Sequence, residues 1–117
     1  MKHIISCEQF DRDYLERLFQ LADDMMQTPE KYSESLKGKV IATMFFEPST
    51  RTRLSFEAAI LRLGAKNIST ENAREASSAT KGESLEDTIR VLSGYTDGIV
   101  MRHFDKDAAI RAAAVSS

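Results

Sequence analysis

The chain has 117 residues, which is enough for one domain with a hydrophobic core and too few for two domains of ordinary size. A hydrophobic fraction of 42% with a charged fraction of 29% is typical of a soluble globular protein. A net charge of -2 gives no electrostatic reason to expect nucleic acid or an anionic membrane as a partner. No apolar run approaches the roughly 20 residues of a transmembrane helix, and we expect no signal peptide.

Cys7 is the only cysteine, which excludes an intrachain disulfide and a multi-cysteine metal site. This cysteine usage fits a reducing, cytoplasmic setting. Because a papain-like nucleophile needs a matched histidine and an orienting group, we expect Cys7 to be a packing residue rather than a catalytic one.

The first predicted element is an amphipathic helix that begins after Asp11, whose carboxylate can cap it. Apolar side chains recur at three- and four-residue spacing from Tyr14 to Met26. The opposite face is charged, so we expect the apolar stripe to belong to the core. Thr28-Pro29 ends the helix, because proline restricts the residue before it and cannot continue the hydrogen-bond ladder.

A buried strand and a second helix follow. The near-continuous apolar run 39–46 predicts a strand buried on both faces, as in a parallel sheet. Glu47-Pro48-Ser49 ends this strand, and the next helix runs to Leu63 with Gly64 as its C-terminal cap. The remaining predicted elements are a strand at 65–68, a loop at 71–82, a helix at 85–93 capped by Ser84, a strand at 98–101 and a helix at 105–114.

This alternation of helices and strands predicts an α/β fold: a three-layer domain with a central parallel sheet flanked by helices and joined by right-handed crossovers. Ligands of such sheets bind at the carboxyl ends of the strands. Residues 47–53, 72–81 and 102–103 would therefore lie on one rim of the sheet.

The run Ser49–Arg53 has the composition of an anion-binding turn. It lies between a buried strand and the first turn of a helix, where free N–H groups and the helix dipole attract anions. Hydroxyls add directional donors, and arginine adds a planar fork that matches phosphate oxygens. The nucleotide P-loop is excluded because it needs a glycine-rich loop ending in Gly-Lys-Ser/Thr. The alternative is a capped helix whose arginines are only solvated.

Three ordered motifs resemble the aspartate and ornithine carbamoyltransferase family. The segment Phe46–Glu57 resembles its carbamoyl-phosphate signature, whose Ser-Thr-Arg-Thr-Arg core both branches share. Lys81–Thr88 resembles a second signature, of the aspartate branch, and Val100–His103 matches a third. Pro48 also resembles the aspartate branch, since the ornithine branch usually has lysine there.

The resemblance implies roles for individual residues. Ser49, Thr50, Arg51 and Thr52 would hold the phosphate of carbamoyl phosphate. Thr52 and Arg102 would reach the carbamoyl carbonyl oxygen, where negative charge grows during attack, and Arg51 would neutralise the departing phosphate.

The resemblance also implies a reaction and an assembly. A carbamoyl group would pass from carbamoyl phosphate to L-aspartate, giving N-carbamoyl-L-aspartate and phosphate in pyrimidine biosynthesis, with no metal, cofactor or covalent intermediate. Ser77 and the further catalytic residue Lys81 match a loop that enters the neighbouring subunit's site, which implies a homotrimer and leaves a regulatory chain open. Ser78 competes with Ser77, which the spacing to Lys81 favours.

Several charged residues near these motifs also have structural interpretations. Arg53 can pair with Glu57 at helical spacing, and Glu47 can pair with the arginines and position them. We expect His103 to be structural, because the family's substrate-contacting histidine lies in a separate His-Pro-Thr-Gln segment.

The resemblance makes residues 1–117 an incomplete, C-terminally truncated carbamoyl-phosphate-binding domain without the aspartate-binding domain. We therefore expect weak binding of carbamoyl phosphate and no turnover by this chain alone. Two alternatives stay open: a non-catalytic binding or oligomerisation module, and a carbamoyltransferase of the ornithine type.

Overall fold

The computed structural model describes residues 2–71 and 84–117. Helices and strands alternate along the chain in the predicted order. The described α-helices are α1 (Arg12–Gln27), α2 (Thr50–Arg62), α3 (Leu85–Ser93) and α4 (Ala108–Val115), and the strands are β1 (Val40–Phe45), β2 (Lys66–Glu71) and β3 (Gly98–Arg102).

The three strands form a parallel sheet in the order β2-β1-β3, which confirms the predicted sheet. The central strand β1 is the most apolar of the three and the most buried, as expected for a strand covered on both faces. The register places Phe45, the last residue of β1, opposite both Glu71 and Arg102. The carboxyl ends of all three strands therefore meet at one edge of the sheet.

Side-chain alternation along β1 assigns the helices to the two faces of the sheet. Ala42 and Met44 pack in a buried cluster with Leu85 and Ile89 of α3 and with residues of α4. Thr43 points the other way and donates a hydrogen bond to a carboxylate of α2. The predicted three-layer α/β fold is confirmed, with α2 on one face of the sheet and α3 and α4 on the other.

Helix α1 differs from the prediction. Its N-cap is as expected, since the Asp11 carboxylate accepts a hydrogen bond from the Tyr14 N–H at 2.8 Å. The helix has no buried residue, and Phe19 and Met26 are 62% and 81% exposed. The prediction that the stripe belongs to the core is therefore wrong within residues 2–71 and 84–117. Amphipathic spacing identifies the face that a helix would bury, but it does not supply the element that covers that face.

Cys7 is exposed, so the prediction of a packing residue is also wrong. It lies in a short 3-10 turn, Cys7–Gln9, whose ends are held by a reciprocal capping box between Ser6 and Gln9. This turn has no buried residue, which leaves the thiol at the surface.

The strand ends extend beyond the predicted ones. β2 continues past residue 68 to Glu71, and β3 continues to Arg102, because both pair with β1 as far as its last residue, Phe45. The loop predicted at 71–82 is wrong at Glu71, and its remainder lies outside the described residues. The last helix begins at Ala108, not at residue 105. Among the described residues, no helix has the length and apolar character needed to cross a bilayer.

Candidate anion-binding site

The site lies at the sheet edge where β1 and β3 end. The Phe46 N–H donates to the Arg102 carbonyl at 2.8 Å, which extends the pairing of the two strands by one residue. Beyond Phe46 the chain leaves the sheet and enters α2 at Thr50. This is the strand-to-helix position where open α/β sheets bind ligands.

Arg102 joins two motifs that are more than fifty residues apart in the sequence. Its Nε donates to Glu47 Oε1 at 2.9 Å, and its Nη1 donates to Ser49 Oγ at 2.8 Å. The Arg102 and Glu47 side chains are 46% and 38% exposed, so the ion pair between them is accessible to solvent and contributes little to stability. Glu47 pairs with an arginine as expected, but the partner is Arg102 and not an arginine of the Ser49–Arg53 run.

The first turn of α2 presents unpaired backbone donors. Ser49 is the N-cap, but its side chain makes no capping hydrogen bond, since its hydroxyl accepts from Arg102. The first intrahelical bond runs from the Arg53 N–H to the Ser49 carbonyl at 2.9 Å. The N–H groups of residues 50–52 therefore lack intrahelical acceptors. With no acidic residue in this turn, the positive end of the helix dipole is available to an anion.

Arg51 differs from the other arginines at this edge. It is exposed, and within the described part of the chain it forms no ion pair. Thr50 and Thr52 are also exposed on this turn. The structure thus brings together Ser49, the first turn of α2 and Arg102, whereas the predicted loop residues Ser77 and Lys81 lie outside the described residues.

Ser49, the first turn of α2 and Arg102 together form a candidate anion-binding cradle. Acidic side chains around Arg53 keep its charge out of this cradle. The predicted pair with Glu57 is present, with 3.5 Å between Arg53 Nη1 and Glu57 Oε2. A second carboxylate, Glu71 at the end of β2, lies 2.7 Å from Arg53 Nε. The Nε–H is not aligned for a hydrogen bond, so this contact is an ion pair. Nη1 also donates to Ser69 Oγ at 3.1 Å.

Glu57 is the partly buried centre of this polar network. Thr43 Oγ1 donates to Glu57 Oε2 at 2.6 Å, and Ser69 Oγ donates to the same oxygen. Burial is the largest influence on the pKa of Glu57 and raises it, but the hydrogen bonds from Ser69 and Thr43 and the charge of Arg53 together lower the pKa below its ordinary value. Sequence reasoning missed Thr43, Ser69 and Glu71, because their contacts depend on the strand register.

His103 has the surroundings of a packed residue. Its ring lies 4.6 Å from the Phe46 ring and 4.2 Å from the Phe104 ring, measured between centroids. Nδ1 accepts from the Asp105 N–H at 3.0 Å, and burial lowers the pKa of this histidine, with the nearby acidic groups acting in the opposite direction. Within the described residues no three His, Cys, Asp or Glu side chains group as metal ligands.

Comparison with known families identifies the family of the chain. Residues 2–117 match the model of the aspartate/ornithine carbamoyltransferase carbamoyl-phosphate-binding domain. The chain belongs to this family. The predicted membership of this family is therefore confirmed.

The curated relatives of the chain include plant and bacterial proteins. Aspartate carbamoyltransferase 3, chloroplastic, of Pisum sativum is 57% identical over 97% of this chain and 29% of its own length. The aspartate carbamoyltransferase catalytic subunit of Clostridium novyi is 53% identical over 92% of this chain and 35% of its own length. The chain therefore spans well under half the length of these relatives.

Solved structures agree with the fold. The catalytic subunit of M. jannaschii aspartate transcarbamoylase superimposes with a TM-score of 0.91 at 44% identity, over 100% of this chain and 40% of that chain. Aspartate transcarbamoylase from Trypanosoma cruzi, in a complex with carbamoyl phosphate, gives a TM-score of 0.90 at 42% identity, over 99% of this chain and 36% of that chain.

Proposed function

We propose that residues 1–117 form the carbamoyl-phosphate-binding domain of an aspartate carbamoyltransferase and supply the carbamoyl-phosphate half of its active site. The observation that carries the proposal is the bond from Arg102 Nη1 to Ser49 Oγ at 2.8 Å, which joins the third motif to the first at an uncapped helix N-terminus. A purely structural capped helix would use the Ser49 hydroxyl on its own N–H groups.

The geometry supports binding of the phosphate by the first turn of α2. Its N–H groups and the hydroxyls of Thr50 and Thr52 are donors, and Arg51 adds a guanidinium that no described carboxylate neutralises. As phosphate leaves, these groups would stabilise the charge that it carries away. Arg51 and Thr52 are therefore proposed as catalytic residues.

In the proposed reaction the amine nitrogen of aspartate attacks the carbamoyl carbon. A C–N bond forms, the C–O bond to phosphate breaks, and the proton that the amine loses passes to the departing phosphate. Negative charge develops on the carbonyl oxygen, where Thr52 and Arg102 would act as preorganised donors. Ser77 and Lys81 are proposed to complete the site from a neighbouring subunit, with Lys81 as a catalytic residue.

Aspartate is the proposed acceptor. Pro48 and the Lys81–Thr88 motif resemble the aspartate branch. The Trypanosoma cruzi enzyme, which this chain resembles, has been solved with carbamoyl phosphate and aspartate together. We also propose a homotrimer in the cytoplasm, although the plant relatives carry names that place them in chloroplasts. The alternatives for the whole protein are an ornithine-type acceptor and a non-catalytic module, and a regulatory chain stays open as a further partner.

A binding experiment tests the half-site. Affinity for inorganic phosphate and for carbamoyl phosphate is measured by calorimetry for the 117-residue chain and for Arg51→Ala. Loss of charge-assisted hydrogen bonds of roughly 1.5–3 kcal/mol predicts about a 10- to 100-fold weaker affinity. The matched control is Arg62→Ala, which removes a guanidinium from the last turn of the same helix. Equal affinities of all three proteins would contradict the proposal and favour a non-catalytic module.

A further inference from the structure

Glu57 and Arg53 of α2 form a polar network with residues of β1 and β2, next to the proposed phosphate site. The Glu57 side chain is 15% exposed and accepts from Thr43, a fully buried residue of the central strand. Because a charged carboxylate is stable at such depth only when it is paired and hydrogen-bonded, the network requires both the hydroxyls and the guanidinium. It therefore ties α2 to β1 through Thr43 and to β2 through Ser69.

The charge balance of the network argues against a direct role for Arg53 in phosphate binding. Its guanidinium lies 3.5 Å from Glu57 and 2.7 Å from Glu71, and its side chain is only 23% exposed. Two carboxylates around one guanidinium leave no net positive charge to attract an anion. Arg51, exposed and two residues earlier, has no such partners in the described parts of the chain.

Arg53 nevertheless lies where it can set the position of the cradle. Its N–H makes the first intrahelical bond of α2, to the Ser49 carbonyl at 2.9 Å, so its backbone closes the turn that carries the free donors. On the N-terminal side of this turn, Arg102 holds the Ser49 side chain. On its C-terminal side, Arg53 is held to β2 by the contacts of its own side chain with Ser69 and Glu71. Donor–acceptor distances in hydrogen bonds vary by only a few tenths of an ångström. In a site that depends on exact placement, a displacement of about 1 Å can lower activity up to 100-fold.

We infer that Glu57 and Arg53 are positioning residues that hold the first turn of α2 in the phosphate-binding geometry without touching the ligand. This inference rests on the proposed function, because it assigns the network to that same site. The isosteric variant Glu57→Gln distinguishes positioning from simple electrostatics. Removing a negative charge from α2 would by itself strengthen phosphate binding, whereas loss of positioning weakens it.

The experiment measures the affinity of the 117-residue chain for inorganic phosphate at a temperature where circular dichroism shows every variant folded. Glu57→Gln is expected to weaken phosphate binding by about tenfold and to shift the amide resonances of residues 50–52 before ligand is added. Ser69→Ala removes one donor and provides a milder variant if Glu57→Gln does not fold. It is expected to weaken binding by about two- to threefold.

Two controls isolate the effect. Glu16→Gln removes a carboxylate from an exposed pair with Arg12, which has the same order and spacing as Arg53 and Glu57. Ile60→Val destabilises the buried side of α2 without touching the network. Both controls should retain the phosphate affinity of the unmodified chain.

The outcomes separate the two proposals. If Arg51→Ala weakens binding while Glu57→Gln and Ser69→Ala do not, the inference is overturned and the proposed function stands. If Ile60→Val weakens binding as much as Glu57→Gln, the network acts only through stability and the inference is overturned. If Arg51→Ala leaves affinity unchanged, the phosphate site itself is refuted, and the inference is refuted with it.

Discussion

The end of α2 allows one contact to be tested quantitatively. Gly64 has a φ of +90°, and a Cβ built on it would lie 2.6 Å from the Ser33 carbonyl oxygen and 3.2 Å from the Glu34 Cα. Both are backbone atoms, and the bond from the Leu36 N–H to the Leu63 carbonyl at 2.8 Å holds this connection against the helix. Neither backbone atom can move without distorting this connection. Gly64→Ala should therefore destabilise the fold through both backbone strain and a steric clash.

Gly38 supplies the matched comparison, because its φ is +84° and nothing lies within 4 Å of the Cβ position. The left-handed conformation costs alanine roughly 1–2 kcal/mol at either glycine. The clash at Gly64 adds about 1–3 kcal/mol, as overpacking does elsewhere. Any gain from a less flexible unfolded chain is common to both variants and cancels in the comparison.

Thermal unfolding followed by circular dichroism measures the difference. For a chain of 117 residues, 1 kcal/mol corresponds to about 4 °C in Tm. Gly64→Ala should therefore unfold about 4–12 °C below Gly38→Ala. Equal Tm values for the two variants would refute the close approach of the end of α2 to residues 33–34.

Three further predictions concern capping, pH and charge. Asp11→Ala should lower the free energy of unfolding by about 1 kcal/mol in urea titrations, because the Tyr14 N–H loses its acceptor; an unchanged midpoint would count against the cap. Glu57 has a lowered pKa when folded, so its stabilising effect is present above the ordinary glutamate pKa and is lost as pH falls through the lowered value. Glu57→Gln should therefore reduce the loss in free energy of unfolding as pH falls, measured by urea titrations at several acidic pH values. An unchanged pH dependence of stability would contradict the network. Glu47→Gln should strengthen binding of carbamoyl phosphate about two- to fivefold in calorimetry, because the charge of Arg102, the proposed partner of the carbonyl oxygen, is no longer neutralised; weaker binding would contradict this electrostatic argument.

Local chemistry made part of the fold predictable from the sequence. The caps at Asp11 and Ser84 depend on a side chain and an N–H three residues later, and both are formed. The buried strand β1 is recognisable because a strand covered on both faces needs a continuous apolar run. The rule that parallel strands end at one edge was sufficient to place Arg102 beside the Ser49 turn.

Two kinds of feature could not be predicted from the sequence: contacts that depend on the strand register, and the burial of a helix face, which depends on whether another element packs against it. β2 has polar side chains at Asn67, Ser69 and Glu71, and they face polar groups of α2 and β1, so no hydrophobic pattern marked its full length. The stripe of α1 indicated a buried face, but the structure leaves Phe19 and Met26 exposed. The spacing of apolar residues describes one face of a helix, whereas the burial of that face also depends on a second element that packs against it.

The central claim is that the first turn of α2 binds the phosphate of carbamoyl phosphate and that Arg102 binds its carbonyl oxygen. A ¹H–¹⁵N titration of the 117-residue chain with carbamoyl phosphate locates the ligand most directly, with inorganic phosphate as the parallel ligand. We predict saturable shifts that are largest at the amides of Thr50, Arg51 and Thr52 with both ligands, and also at the Arg102 Nε–H with carbamoyl phosphate. Shifts that are absent from these groups, or that are largest at another part of the chain, would contradict the account.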